Sequence, residues 1–278
     1  LHLNLLSDGV YYQDAGAVFG VVPKLLWERL KIPLNDKHQM ALGLNSMLLQ
    51  SQGKTILIET GVGEKDRPLA QTERPTGSLI DELEAIGVTP GDVDIVINTH
   101  LHADHCGWNT RLDAKGAFVP TFPRARYLIQ RGEWDAAMHP NERTRATYLA
   151  ENIAPLEAAG CVELIDGETR VTDEVTIIAT HGHTADHASV ILASGGERAI
   201  YIGDMIQHAV QLERAPWVSS FDVYPLEAME TKKTVVANAI AEQQLVIAVH
   251  CDFPGLGRMS ETPDGKRKWT AVEPNESI

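Results

Sequence analysis

Residues 99–107 read Thr-His-Leu-His-Ala-Asp-His-Cys-Gly, placing four metal-capable side chains, His100, His102, Asp104 and His105, within six positions. Imidazole combined with carboxylate suits zinc, or iron, cobalt or manganese, better than calcium or magnesium, which favour all-oxygen shells. On an extended backbone the side chains at i, i+2 and i+4 share a face, so His100, His102 and Asp104 converge while His105 faces elsewhere. A single ion takes about four ligands. The segment could fill one site alone or contribute to two.

Such a cluster needs rigid elements to aim it, and the apolar run at 93–98 supplies a buried strand that ends at His100. The pattern recurs. A strand at 175–179 runs into Thr180-His181-Gly182-His183 with His187 beyond, one at 199–202 runs into Gly203-Asp204, and one at 245–249 delivers His250. Strand ends gathered on one edge of an α/β fold are where such proteins commonly place their sites. Further strands are expected at 2–6 and 10–13 around a turn, and at 46–50, 55–59 and 127–129. The glycine-bearing stretch 60–63 lacks the lysine and hydroxyl residue of a P-loop, so it reads as a tight turn near the metal-capable loop. Helices are expected around 25–30, from an N-cap at Ser78, at 132–138, 143–149 and 225–240; residues 16–23 read as a loop, and the chain from about 255 as an irregular tail.

The chain has 278 residues, 44% of them hydrophobic, and no linker-like stretch, which predicts a single domain over 1–278. A formal charge of −14, from 24 basic and 38 acidic residues, argues against nucleic-acid binding and favours a small-molecule partner. Three unpaired-looking cysteines, no membrane-length apolar run and no signal peptide point to the cytoplasm, although a chain starting at Leu1 leaves export open.

The motif His100-Leu-His102-Ala-Asp104-His105, followed by Gly182-His183-Thr184, Gly203-Asp204 and a late strand ending in His250, resembles the metallo-β-lactamase superfamily. That resemblance implies a four-layer αββα sandwich with a dinuclear metal site on one edge. His100, His102 and His183 would hold one divalent ion and Asp104, His105 and His250 the other, with Asp204 bridging them. It further implies hydrolysis by a metal-bridging hydroxide, with Asp104 orienting it and passing its proton to the leaving group. A bridging aspartate is typical of the hydrolase branches rather than of true β-lactamases. Residues 19–24 and 141–145, with Trp217 and Tyr224-Pro225, are similar to the branch of quorum-quenching lactonases and methyl-parathion-type hydrolases, where related proteins are often dimers. The expected reaction is therefore opening of lactones, including N-acyl homoserine lactones, with phosphotriester or aryl ester hydrolysis beside it. A glyoxalase II-like thioesterase is the alternative, and a non-catalytic metal-binding protein on the same fold is a reading from another class.

Where some of those lactonases have a tyrosine three residues after the bridging aspartate, this chain has Gln207; His181 replaces a common proline and Cys251 a common aspartate. Gln207 could contact a substrate carbonyl or be a neutral surface residue, and His208 could protonate a leaving group or simply occupy a loop. His181 and His187 read as support rather than as ligands. Phe19, Val22, Trp27, Trp108, Met205, Ile206 and Phe253 are candidates for an apolar substrate pocket, each also explicable as core.

Overall fold

The computed structural model describes residues 1–65, 72–73 and 78–273. In chain order the strands are β1 His2–Asp14, β2 Gln39–Ser51, β3 Lys54–Ile58, β4 Thr72–Glu73, β5 Ile95–Ile97, β6 Thr110–Leu112, β7 Phe118–Pro120, β8 Arg126–Gln130, β9 Val162–Ile165, β10 Thr169–Arg170, β11 Val175–Ala179, β12 Ala188–Ser194, β13 Glu197–Tyr201, β14 Leu245–Ile247, β15 Leu256–Glu261 and β16 Arg267–Ala271. The helices are α1 Ala15–Phe19, α2 Lys24–Trp27, α3 Leu79–Ala85, α4 Arg131–Met138, α5 Ala150–Ala158, α6 Val210–Glu213 and α7 Pro225–Ala241. One seven-stranded sheet has the order β4-β1-β2-β3-β5-β8-β9 and the other β10-β11-β12-β13-β14-β15-β16; β6 and β7 pair separately.

Side-chain alternation explains the layering. Ile56 and Ile58 of β3 and Ile95 and Ile97 of β5 meet Ala199 and Tyr201 of β13 and Leu245 and Ile247 of β14 in a core between the sheets. Leu57 and Val96, one residue out of phase, point the other way against Leu79 and Leu83 of α3, Trp134 of α4 and Leu156 of α5. Ile200 and Val246 likewise face Val235, Val236 and Ala239 of α7. Strands covered on both faces read as continuous apolar runs, as these do. The result is the αββα sandwich.

Parallel pairing positions the site. β3, β5 and β8 run parallel, as do β13 and β14, so their C-terminal ends lie side by side on one edge. Among the described residues, no helix is long and apolar enough to cross a membrane.

Several local expectations change. Residues 2–13 form one strand, β1, in which the expected turn is a bulge between Ser7 and Val10. Gly9 lies at φ 95° and the Ser7 hydroxyl accepts from its N–H at 3.0 Å, which turns the buried Asp8 inward. The 16–23 stretch is not all loop: Asp14 caps α1 by accepting from Ala17 N at 2.8 Å, and Gly20 ends it. Residues 143–149 contain only a 3-10 turn at Thr144–Ala146, the helix starting at Ala150. The tail beyond 255 is not irregular: β15 and β16 extend the second sheet, with Trp269 packed over Gly257.

The 60–63 turn does lie beside the metal-capable loop, with Thr60 N donating to His105 O at 2.8 Å and Gly107 N to Gly61 O at 2.7 Å. A Cβ on Gly107 would sit 2.0 Å from the Val62 carbonyl carbon, so this approach requires glycine. The backbone N–H groups of Val62 and Gly63 receive no phosphate role, because the Asp8 carboxyl takes both at 2.9 and 3.0 Å.

Candidate metal centre

β5 delivers His100, but beyond it the backbone is not extended. His105 N and Cys106 N both donate to His102 O, at 3.0 and 3.2 Å, so the chain curls after His102 and carries Asp104 and His105 together to the other side. The face-sharing expected of an extended segment therefore fails at Asp104. His100, His102, His183 and Asp204 form one group of converging ligand atoms and Asp104, His105 and His250 a second, each within 4.8 Å. Asp204 spans both: its Oδ2 lies 3.3 Å from His183 Nε2 and 3.9 Å from His100 Nε2, and its Oδ1 lies 3.0 Å from His105 Nε2 and 2.9 Å from His250 Nε2.

Outer partners fix the rings. His105 Nδ1 meets Glu59 Oε2 at 3.0 Å, His183 Nδ1 meets Asp222 Oδ1 at 2.9 Å, and His250 Nδ1 meets the Gly43 carbonyl at 2.8 Å. A carbonyl only accepts, and a carboxylate accepts when ionised, so Nδ1 carries the proton and the Nε2 lone pairs turn inward. His102 differs: its Nδ1 faces His183 Nε2 at 3.1 Å. Among the described residues, Nε2 of His100, His102, His105 and His250 and Oδ1 of Asp204 are buried without a hydrogen-bonding partner. The short contacts to Asp204 Oδ1 lack hydrogen-bond geometry, and buried lone pairs that converge in this way are costly unless a cation takes them. Nitrogen and carboxylate donors in two adjoining sets fit two first-row divalent ions.

Without an ion the charges sort themselves. Burial and the neighbouring rings push His100 well below the ordinary histidine value, and burial and His183 push His102 down to about 3. Burial is the largest single influence on His105 and His183 and opposes their charge, but Asp204, Asp104 and Glu59 together outweigh it at His105, and Asp204 with Asp222 at His183, so both rise. Burial favours protonated Asp104 and Asp204, yet the nearby rings hold both below the ordinary aspartate value.

The residue pattern of the metallo-beta-lactamase superfamily matches residues 41–238. The chain belongs to that superfamily. An N-acyl homoserine lactonase of a Bacillus species is 28% identical over 158 residues, 52% of this chain and 56% of that protein. The chain thus spans about half the length of the curated relatives it matches. Among solved structures, a probable metal-dependent hydrolase from Staphylococcus aureus superposes with a TM-score of 0.85 at 24% identity over 100% of this chain and 98% of that one. AidC, a dizinc quorum-quenching lactonase crystallised with a product, has a TM-score of 0.78 at 21% identity over 98% and 94% of the two chains. These two likenesses concern the fold.

Within this superfamily chain the other sequence candidates separate. His187 is no ligand in either group: Asp204 N donates to its Nε2 at 3.0 Å, its Nδ1 lies 3.1 Å from Thr180 O, and burial first, then the charge of His183, pushes it down to about 3. Gly203, at φ 52°, allows that approach, since a Cβ there would lie 2.6 Å from His187 Nε2. His181 is exposed and bonds Ala185 O. Gln207 is buried with its amide 3.4 Å from Asp204 O, while His208 accepts from Val210 N and meets the Phe19 ring at 5.7 Å. Both line a cleft of about 600 Å³ that also reaches His250, Cys251 and Phe253.

Of the pocket candidates, Phe253 alone lines that cleft, at 53% exposure. Phe19, Val22 and Trp27 form a buried cluster with Trp217, Met205 and Ile206 pack with α7, and Trp108 is core, its indole N–H donating to Asp8 at 3.0 Å. Glu59, Asp222, Tyr11 and Glu133 were not anticipated. Glu133 accepts from Leu101 N and Tyr148 Oη, bracing the backbone between His100 and His102. Tyr11 lies 5.5 Å from the His250 ring, and burial, then the charges of Asp104 and Asp204, push its phenol well up. Only Glu59, the residue after an apolar strand and before a glycine turn, carried any positional signal.

Proposed function

We propose that the chain is a metal-dependent hydrolase of small, neutral, partly apolar esters, with lactones, N-acyl homoserine lactones among them, as first substrates and aryl phosphotriesters or aryl esters as a second activity. The observation that carries this reading is that four orphaned histidine nitrogens and an Asp204 oxygen fall in two adjoining groups of converging ligand atoms. In this reading His100, His102 and His183 would hold one ion and Asp104, His105 and His250 the other, with Asp204 shared between them. Zinc suits the donors best. Bound divalent ions supply Lewis acidity, lowering the pKa of water from about 15.7 to about 7 and polarising a carbonyl or phosphoryl oxygen.

The chain's own groups do the rest. Asp104, whose side chain keeps 20% of its exposure, is the member of the site open to an incoming substrate, and its carboxyl oxygen takes the nucleophile's proton and returns it to the leaving alkoxide. The phenol of Tyr11, raised by burial and by the charges of Asp104 and Asp204, stays neutral beside them. Phe19, stacked on Trp27, packs against the His208 ring.

The names of the curated lactonase relatives support the lactone reading. The thioesterase alternative calls for a basic pocket for a glutathione-type anion, and the cleft beside His250 offers Lys31 against Asp252 and Glu273. The test is metal content together with initial rates on a lactone, an aryl phosphotriester, a thioester and a β-lactam. The lactone should be turned over fastest, and both a chelator and His100→Ala should abolish the rate. Metal-replete protein that hydrolyses none of the four, or His100→Ala protein at full lactone rate, sinks the hydrolase reading.

A further inference from the structure

The inward stripe of α7 contains one residue of the wrong kind. Ala228, Lys232, Val235, Val236 and Ala239 are the buried positions of this helix, spaced as one helical face, and Lys232 is only 2% exposed. Burying an ammonium costs several kcal/mol unless it is paired. Burial pulls Lys232 down to about 8 while Asp222 pulls the other way. A leucine or methionine would fill the position at no such cost, so the charge has another role.

The partners of Lys232 indicate that role. Its Nζ donates to Trp217 O at 2.6 Å, at the start of the loop that carries Asp222. Asp222 Oδ2 accepts from Ser219 N at 2.9 Å, closing that loop, while Oδ1 receives His183 Nδ1 at 2.9 Å. The loop's backbone then holds the histidine segment directly, Val223 N donating to His183 O and Tyr224 N to Gly182 O, each at 2.9 Å. Arg143 Nη2 braces the outside of the loop through Ser220 O and Asp222 O.

We propose that Lys232 is a positioning residue for the metal centre: by holding the Trp217 carbonyl it fixes the loop whose Asp222 carboxyl orients His183 and so sets the affinity of the ion His183 would hold. This rests on the metal-centre reading above. A histidine whose outer carboxylate is disturbed typically loses about 10–100-fold in metal affinity. A lysine that only filled the helix core would lower stability and affect the two ions alike.

The experiment measures both stepwise Zn²⁺ dissociation constants by competition with a chromophoric chelator, with Co²⁺ absorption as a second readout of ligand geometry. The proteins are wild type, Lys232→Met, Asp222→Asn and the double variant. Methionine keeps the side-chain volume, and Lys232→Gln serves if it does not fold. We expect one of the two ions to weaken at least tenfold in Lys232→Met, the other to stay within about threefold, and the double variant to bind no worse than Asp222→Asn, because coupled residues are non-additive. Equal losses at both ions, additive losses in the double variant, or unchanged constants overturn the proposal. Wild-type protein that takes up no Zn²⁺ removes the metal-centre reading, and this proposal with it; two tight ions in wild type and no change in Lys232→Met remove the proposal alone.

Discussion

Replacing Glu59 by glutamine tests whether the second ion depends on a carboxyl outside the motif. Glu59 Oε1 accepts from Thr99 N at 2.7 Å and Oε2 meets His105 Nδ1 at 3.0 Å, with the side chain buried. Glutamine offers one oxygen and one NH₂ for two donors. If its oxygen stays on Thr99, the NH₂ faces His105 Nδ1, and the ring must move its proton to Nε2, where the ligand lone pair is needed. If the amide flips, Thr99 N–H is left buried and unsatisfied at a cost of about 1–3 kcal/mol. Either arrangement penalises the ion-bound state by a similar amount, which matches the about 10–100-fold loss seen for outer-carboxylate changes, or about 1.4–2.8 kcal/mol. In a chelator competition the ion assigned to Asp104, His105 and His250 should weaken by that factor while its neighbour moves only severalfold. Constants within twofold of wild type at both ions, or a loss confined to the other ion, refute the reasoning.

Asp204→Asn should lower metal occupancy and lactone turnover together, since its two oxygens face the two ligand groups; wild-type values for both would remove Asp204 from the site. Asp8→Asn should destabilise the chelated protein by about 2–6 kcal/mol, as two of the four donors on the carboxyl (Val62 N, Gly63 N, Leu79 N and Trp108 Nε1) meet an NH₂ instead. A loss of unfolding free energy under about half a kcal/mol in a denaturant titration would contradict that. Metal uptake near pH 6 should release about two protons, because His105 and His183 are held above their ordinary value in the metal-free chain and must deprotonate to bind. Affinity should accordingly rise with pH through that range. Calorimetry in buffers of differing ionisation enthalpy measures the number, and zero release counts against both rings as ligands.

Much of the fold was legible because its strands are buried on both faces: the apolar runs at 175–179 and 245–249 sit within two residues of β11 and β14. Where the signal was local and polar it misled. The Ser7–Gly9 stretch has turn composition, yet long-range pairing of β1 with β2 continues on both sides of it, so tertiary pairing overrides the turn. The tail beyond 255 is rich in glycine and charge because β15 and β16 lie toward the sheet's edge and β16 buries no residue fully on either face, so few apolar positions mark it.

The site divides along a different line. Its candidate ligands come as a compact motif plus strand ends, and both are written in local sequence. The residues that aim those groups are not, because each is defined by a distance across the fold: Glu59 follows β3, Asp222 comes from a loop over α1, Lys232 from the buried stripe of α7. None has a spacing to His105 or His183 that chemistry dictates. What could be sought in a sequence is the anomaly rather than the motif, a charge in a stripe that packing would fill with an apolar side chain. Lys232 at i+4 from Ala228 and i−4 from Val236 is such an anomaly. Its cost within the helix core becomes intelligible only when the loop on the far side is seen to present a carboxyl already engaged with a histidine.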